Sequence, residues 1–355
     1  MPRLRRWFIA LVATLGVLAL VEGTLRALVP REALVFSYER PNGMLMLDEG
    51  ASTYLPRPLA EEVVPDGPNH WRYRMNAAGL REDAEVPSAR PPGTRRWLAL
   101  GDSWIFGESA DQSATLAAQL ELVLPARGYG PVEVINAGVP GAGAFDMLAR
   151  WRSLQARWEL DGVLLGAPKN IKRQEGVAAE RALWYKGGGA PYLNWYLYLG
   201  IRRLMVPYTR SGLRDHDADA LATTVADLEA LVEEARHAGL AVVVGVWPLD
   251  RAAATRPDPG IDYTTVAQPL TARGASVTGA RLGSNACWGF KDLSHPSEAG
   301  YRVLAEVLAD RIQGGPDPGM LRTTPRCEDV PGNGPTKPGP ARSREEAERT
   351  RVNPG

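Results

Sequence analysis

Cysteine is nearly absent from this 355-residue chain: there are two, Cys287 and Cys327. No CxxC pair and no zinc-type Cys/His spacing occurs, so no cofactor or metal is expected from the sequence. Histidine is scarce as well. His70, His216, His237 and His295 lie far apart, and any metal site would have to be assembled in space from carboxylates. Net charge is missing too, since 41 basic residues offset 41 acidic ones. That excludes the electrostatic footprint of a nucleic-acid-binding protein. There are no internal repeats. What remains is 45% hydrophobic and rich in Gly and Pro, a composition that can bury a sizeable core.

The first strong feature is N-terminal. Arg3, Arg5 and Arg6 precede an apolar run from Trp7 to Val29, long enough as a helix (roughly 34 Å) to cross a bilayer. The arginines predict a cytoplasmic start and place the chain after Val29 outside. Glu22 and Arg26 interrupt the run near its outer end, four residues apart, where they can pair on one helix face. A cleaved signal peptide with its apolar core at Phe8 to Val21 is the competing reading. No small-x-small cleavage site follows that core, which favours a retained anchor over 1–29.

Residues 30–95 are proline-rich and irregular, and are expected to form a membrane-proximal segment packed on the main domain. Within it, Asn76-Ala-Ala-Gly79-Leu80-Arg81 reads as a turn. From Arg96 strands and helices alternate. Strands are expected at Trp97 to Leu100, Val132 to Ile135, Gly162 to Leu165 and Leu240 to Trp247. Helices are expected at Ser113 to Leu124, closed by Pro125 and Gly128, and at Phe145 to Trp158, Asp219 to His237 and Ser297 to Ile312. This alternation predicts an α/β domain over 96–313 with a central parallel sheet and helices on both faces, whose ligand site lies beyond the C-terminal strand ends. The tail over 314–355 is dominated by Pro, Gly and charge and is expected to be flexible. Outside the cytoplasm, Cys287 and Cys327 could form a disulfide joining that tail to the loop before Asp292.

Chemistry-bearing residues fall at the expected strand ends. Gly101-Asp102-Ser103-Trp104 leaves the first strand; a serine on such a turn stands above the sheet edge, and Gly101 permits a tight approach there. Asp292-Leu-Ser-His295-Pro lies just before the last helix. A carboxylate that orients one imidazole nitrogen leaves the other to accept a proton from serine. Between them, the Gly138 backbone in Asn136-Ala-Gly138 and the Asn170 side chain in Pro168-Lys169-Asn170 are candidate oxyanion donors.

These four blocks, in this order, resemble the SGNH (GDSL-type) hydrolase family over roughly 96–312. The resemblance implies a flavodoxin-like three-layer α/β/α sandwich and metal-free ester hydrolysis through an acyl-enzyme. It implies Ser103 as nucleophile and first oxyanion donor, Gly138 and Asn170 as further donors, and Asp292 and His295 as its partners. The third block departs from the family's Gly-x-Asn-Asp, with Pro168 and Ile171 at the flanking positions. Lys169 is read as solvent-facing.

The expected substrate is an ester of an envelope carbohydrate or a lipid, outside the cytoplasmic membrane. An O-acyltransferase passing the acyl group to a polysaccharide, or a binding module without activity, are the alternatives. The aromatic stretch from Trp184 to Tyr208 admits three readings: core packing, a lid over the site, or a segment at the bilayer surface.

Overall fold

A computed structural model describes residues 2–29, 44–48, 53–66, 69–167, 196, 218–247, 263–281, 295–315 and 322–323. Asn170, Asp292, Cys287, Cys327 and the aromatic stretch other than Tyr196 lie outside the described residues.

Helix α1 (Pro2–Leu28) is followed by two antiparallel hairpins, β1 (Leu45–Asp48) with β2 (Thr53–Pro56) and β3 (Glu61–Asp66) with β4 (Asn69–Arg74). The main domain then runs β5 (Arg95–Leu100), α2 (Ser103–Phe106), α3 (Leu116–Ala126), β6 (Val132–Asn136), α4 (Ala144–Leu154) and β7 (Gly162–Gly166). It continues through α5 (Ala218–His237), β8 (Ala241–Val246), α6 (Tyr263–Ala272), β9 (Ser276–Arg281), α7 (Glu298–Ile312) and the short β10 (Arg322–Thr323).

The six strands form one parallel sheet in the order β10-β9-β8-β7-β5-β6. Without the edge strand β10, its first five strands in chain order stand as 2-1-3-4-5, the flavodoxin-like order, and β5 occupies the position where the winding reverses. The fold class read from the sequence is therefore the one observed.

Alternation along the strands assigns the layers. Leu98, Leu100, Val163, Leu165, Val242 and Val244 face a core built with α4, α5 and α6. Trp97, Ala99, Leu164 and Val243 face the opposite core, built with α2, α3 and α7. The sheet is thus covered on both sides, which is why its strands read as nearly continuous apolar runs. Trp97 opposes Gly162 in the register, and a Cβ on Gly162 would come within 2.7 Å of the indole ring.

The structure departs from expectation in two details and places two residues of the tail in a strand. The segment over 30–95 is not wholly irregular. Its hairpins form a third core with Met44, Leu45, Tyr73 and Met75, closed by Phe106 and Val139 from the C-terminal end of the sheet. The tail expected to be flexible from Gly314 contributes Arg322 and Thr323 as an edge strand on Ala280 and Arg281. Pro125, expected to close its helix, sits inside the last turn of α3.

The free edge of β6 is managed by carboxylates. The Asn136 N–H donates to Glu82 Oε1 at 2.7 Å and the Val134 N–H donates to Glu121 Oε1 at 2.8 Å. Burial, with Glu121, Glu133 and Asp83 nearby, pushes the Glu82 carboxyl up to about 8 against the lowering by the Asn136 N–H bond. The folded state therefore holds a proton at Glu82 that the unfolded chain releases, and stability falls as pH rises from the usual carboxylate range through about 8. Glu82→Gln keeps an acceptor for the Asn136 N–H and removes this loss. Urea unfolding should show the variant more stable than wild type by about 1–3 kcal/mol at pH 9 and little changed at pH 5.

Candidate active site

Ser103 sits at the start of α2, immediately beyond the C-terminal end of β5. Asp102 caps this short helix by accepting the Trp104 N–H at 3.0 Å, and Gly107 closes it with φ of 85°. Glycine is required at 101 because a Cβ there would lie 2.3 Å from Ile105 Cγ1. The close approach expected of Gly101 thus has a specific partner in the helix behind the serine.

His295 arrives from the opposite end of the chain. Ser297 caps α7 by accepting the Gly300 N–H at 3.2 Å, and His295 stands two residues before that cap. Its Nε2 lies 2.8 Å from Ser103 Oγ across a sequence separation of 192 residues. It is also 3.3 Å from Glu108 Oε2. Ser103 is 5% exposed and the His295 side chain 12%.

Gly138 lies beneath α2. An added Cβ would fall 2.2 Å from the Phe106 nitrogen. Its N–H, expected as an oxyanion donor, donates in this structure to Asn136 Oδ1 at 3.1 Å, while Asn136 Nδ2 donates to the Phe106 carbonyl at 3.3 Å. Gly138 thus also packs against the serine-bearing turn.

Two residues near the site were not recognised in the sequence. The Asn76–Arg81 stretch does form a turn: Asn76 Oδ1 accepts the N–H groups of Ala78 and Leu80, and Gly79 has φ of 65°. Arg81 goes further, because its guanidinium is fully buried under the serine turn. Nη1 donates to the carbonyls of Phe106, at 2.7 Å, and Gly107, and Nη2 donates to that of Ala110 at 2.5 Å. The rings of Tyr73 and Phe106 flank it, with centroids at 4.6 and 4.7 Å. Burial pulls Arg81 down to about 10, so it stays charged at neutral pH, and the same burial pushes the Tyr73 hydroxyl up to about 12. Glu108 is the second. No motif marked it, and only the turn after α2 brings its carboxylate to His295.

Among the described residues, no group of three or more His, Cys, Asp or Glu is placed to hold a metal ion. Among the described residues one helix, Arg5–Leu28, is long and apolar enough to cross a membrane, a property that an N-terminal signal sequence shares. Within it Arg26 Nε pairs with Glu22 Oε1 at 2.7 Å, as the spacing predicts. Tyr196 meets the same pair: its N–H donates to Glu22 Oε1 at 2.9 Å and its ring lies 5.0 Å from the Arg26 guanidinium.

No protein-family model and no curated protein matches the chain. Among solved structures it is similar to the psychrotrophic esterase EstA from a Pseudoalteromonas species, with 15% identity over 62% of this chain and 97% of that one and a TM-score of 0.41. It is similar to a lipase/acylhydrolase from Enterococcus faecalis, with 18% identity over 62% and 96% and a TM-score of 0.40. A member of the lipolytic G-D-S-L family from Veillonella parvula gives 13% identity over 61% and 97% and a TM-score of 0.38.

Proposed function

We propose that the chain is a serine ester hydrolase of the SGNH type. The observation that carries this reading is the 2.8 Å approach of His295 Nε2 to Ser103 Oγ at the C-terminal edge of the sheet. A serine is nucleophilic when an adjacent base takes its proton, and this distance permits that transfer. As Ser103 Oγ bonds to the ester carbonyl carbon, its proton passes to Nε2 and the carbonyl π pair moves onto oxygen. Collapse of that oxyanion breaks the bond to the alcohol oxygen, which takes the proton from Nε2. Water then attacks the acyl-serine, gives its proton to Nε2, and Ser103 leaves with that proton as the carboxylic acid departs. Asp292 is the proposed partner of the second imidazole nitrogen. The Ser103 N–H, the Asn170 amide and the Gly138 N–H are the proposed oxyanion donors, the last shared with Asn136 Oδ1.

The proposed setting is the outer side of the cytoplasmic membrane, with α1 as a retained anchor and an ester of an envelope carbohydrate or a lipid as substrate. Support for this is the length and apolarity of α1, its exposure, and the basic residues at its start.

A fluorophosphonate probe tests the hydrolase reading. The folded protein should be labelled at a single peptide, and mass spectrometry should place the adduct on Ser103. Folded protein that resists the probe would instead support a binding module without activity.

A further inference from the structure

Glu108 Oε2 lies 3.3 Å from the same His295 nitrogen that faces Ser103. Its side chain is 38% exposed against 12% for His295, so Glu108 is the more open of the two. Among the described residues, His295 is the one side-chain partner of its carboxylate.

The turn that carries Glu108 is held firmly. Gly107 and Ser109, on either side of it, both have left-handed backbone, with φ of 85° and 65°. Ser109 lacks the freedom of glycine there, and such conformations persist where surrounding contacts enforce them. Those contacts are present. The Glu108 N–H donates to the Ser103 carbonyl at 2.9 Å, and Tyr301 Oη donates to the Glu108 carbonyl at 3.1 Å. The Ser109 N–H donates to Tyr73 Oη at 2.9 Å, and Arg81 grips the carbonyls of Phe106, Gly107 and Ala110. The backbone is thus bound on several sides while the carboxylate is presented to the site.

We infer that Glu108 selects the alcohol portion of the substrate, an inference that rests on the proposed hydrolase activity. The alcohol oxygen must come within hydrogen-bond reach of Nε2 to take its proton. It then sits beside Glu108, whose carboxylate only accepts hydrogen bonds. An alcohol with a neighbouring hydroxyl gains a charge-assisted bond there, whereas one with a neighbouring anion meets like charge. The substrate class that fits is an O-acyl polyol, such as an esterified carbohydrate, and not an ester whose alcohol carries a carboxylate or phosphate next to the ester oxygen.

Three acetate esters test this on the full-length protein in detergent: glycerol 1-acetate, propyl acetate and the anionic 3-acetoxypropanoate. In wild type, kcat/KM should rank glycerol 1-acetate about tenfold above propyl acetate and 3-acetoxypropanoate about tenfold below it. Glu108→Gln should relieve the penalty on the anion, and Glu108→Ala should bring both ratios close to one. Ratios within one variant cancel any change in folded fraction or overall rate. Wild type that reacts with the fluorophosphonate but shows the ratios of Glu108→Ala overturns this inference and leaves the hydrolase reading intact. Wild type that neither reacts with the probe nor cleaves any of the three esters overturns both.

Discussion

Ser103→Ala is expected to lower kcat for ester hydrolysis by about 10⁴- to 10⁶-fold, and His295→Ala by a similar factor. In the proposed mechanism serine bonds to the carbonyl carbon and histidine holds the proton that serine loses, so with Nε2 2.8 Å from Oγ the two should act as one unit. The double variant should therefore be no slower than the worse single variant, a non-additivity that independent roles would not produce. Turnover of a short-chain aryl ester by both singles and the double is the measurement. Multiplying effects would break the assignment of a shared proton-transfer step. Since Ser103 accepts at its backbone carbonyl and is capped through Asp102, its hydroxyl is not needed for the turn. Ser103→Ala should unfold at nearly the wild-type temperature, which separates lost chemistry from lost structure.

Arg81→Met should be the most destabilising single change, by about 3–5 kcal/mol in urea unfolding. Its guanidinium donates to three buried carbonyls on the serine turn, and methionine would leave all three without these donors. Arg81→Lys keeps the charge, but one ammonium cannot reproduce a planar fork that reaches Phe106, Gly107 and Ala110 at once. The lysine variant should fold and still misplace Ser103, with kcat lowered about tenfold or more and KM changed much less. Equal kcat for Arg81→Lys and wild type would reduce Arg81 to a stability role. Arg150 supports the same assembly from α4, donating to the Gly79 carbonyl at 2.8 Å, and burial draws it down to about 10. The hairpins over 45–74 are therefore part of the scaffold of the candidate site: Tyr73 packs edge-on against Phe106 with ring centroids 5.4 Å apart.

What could be read along the chain was what local sequence physics marks. Strands β5, β6, β7 and β8 are short apolar runs ending in glycine, asparagine or a turn, and α5 carries its apolar residues on one face before Gly239. Elements without such marks escaped. Helix α6 holds Thr264, Thr265 and Pro269, all poor helix formers, and is stabilised by packing Val266 and Leu270 into the core. Strand β9 reads Ser-Val-Thr-Gly-Ala-Arg, too polar to stand out, and gains its place by pairing with β8. The hairpins over 45–74 are short and rich in charge, and they owe their order to the core they share with Phe106 and Val139.

The candidate site divides the same way. By itself the sequence determined the parallel α/β class, the serine turn after β5, the histidine before α7, and a first helix suited to a membrane. Each of these depends on neighbours a few residues away. Tertiary structure decided that Ser103 and His295 meet, that Arg81 is buried under the serine turn, and that Glu108 reaches the His295 nitrogen that faces Ser103. Those contacts depend on the strand order that brings the ends of β5 and β6, the start of α7 and the hairpin segment to one edge of the sheet. An arginine after a glycine turn is by default a solvent-exposed residue. Only the surrounding fold, which supplies three carbonyls and two aromatic rings in place of water, makes its burial favourable and gives it a place beneath the Ser103 turn.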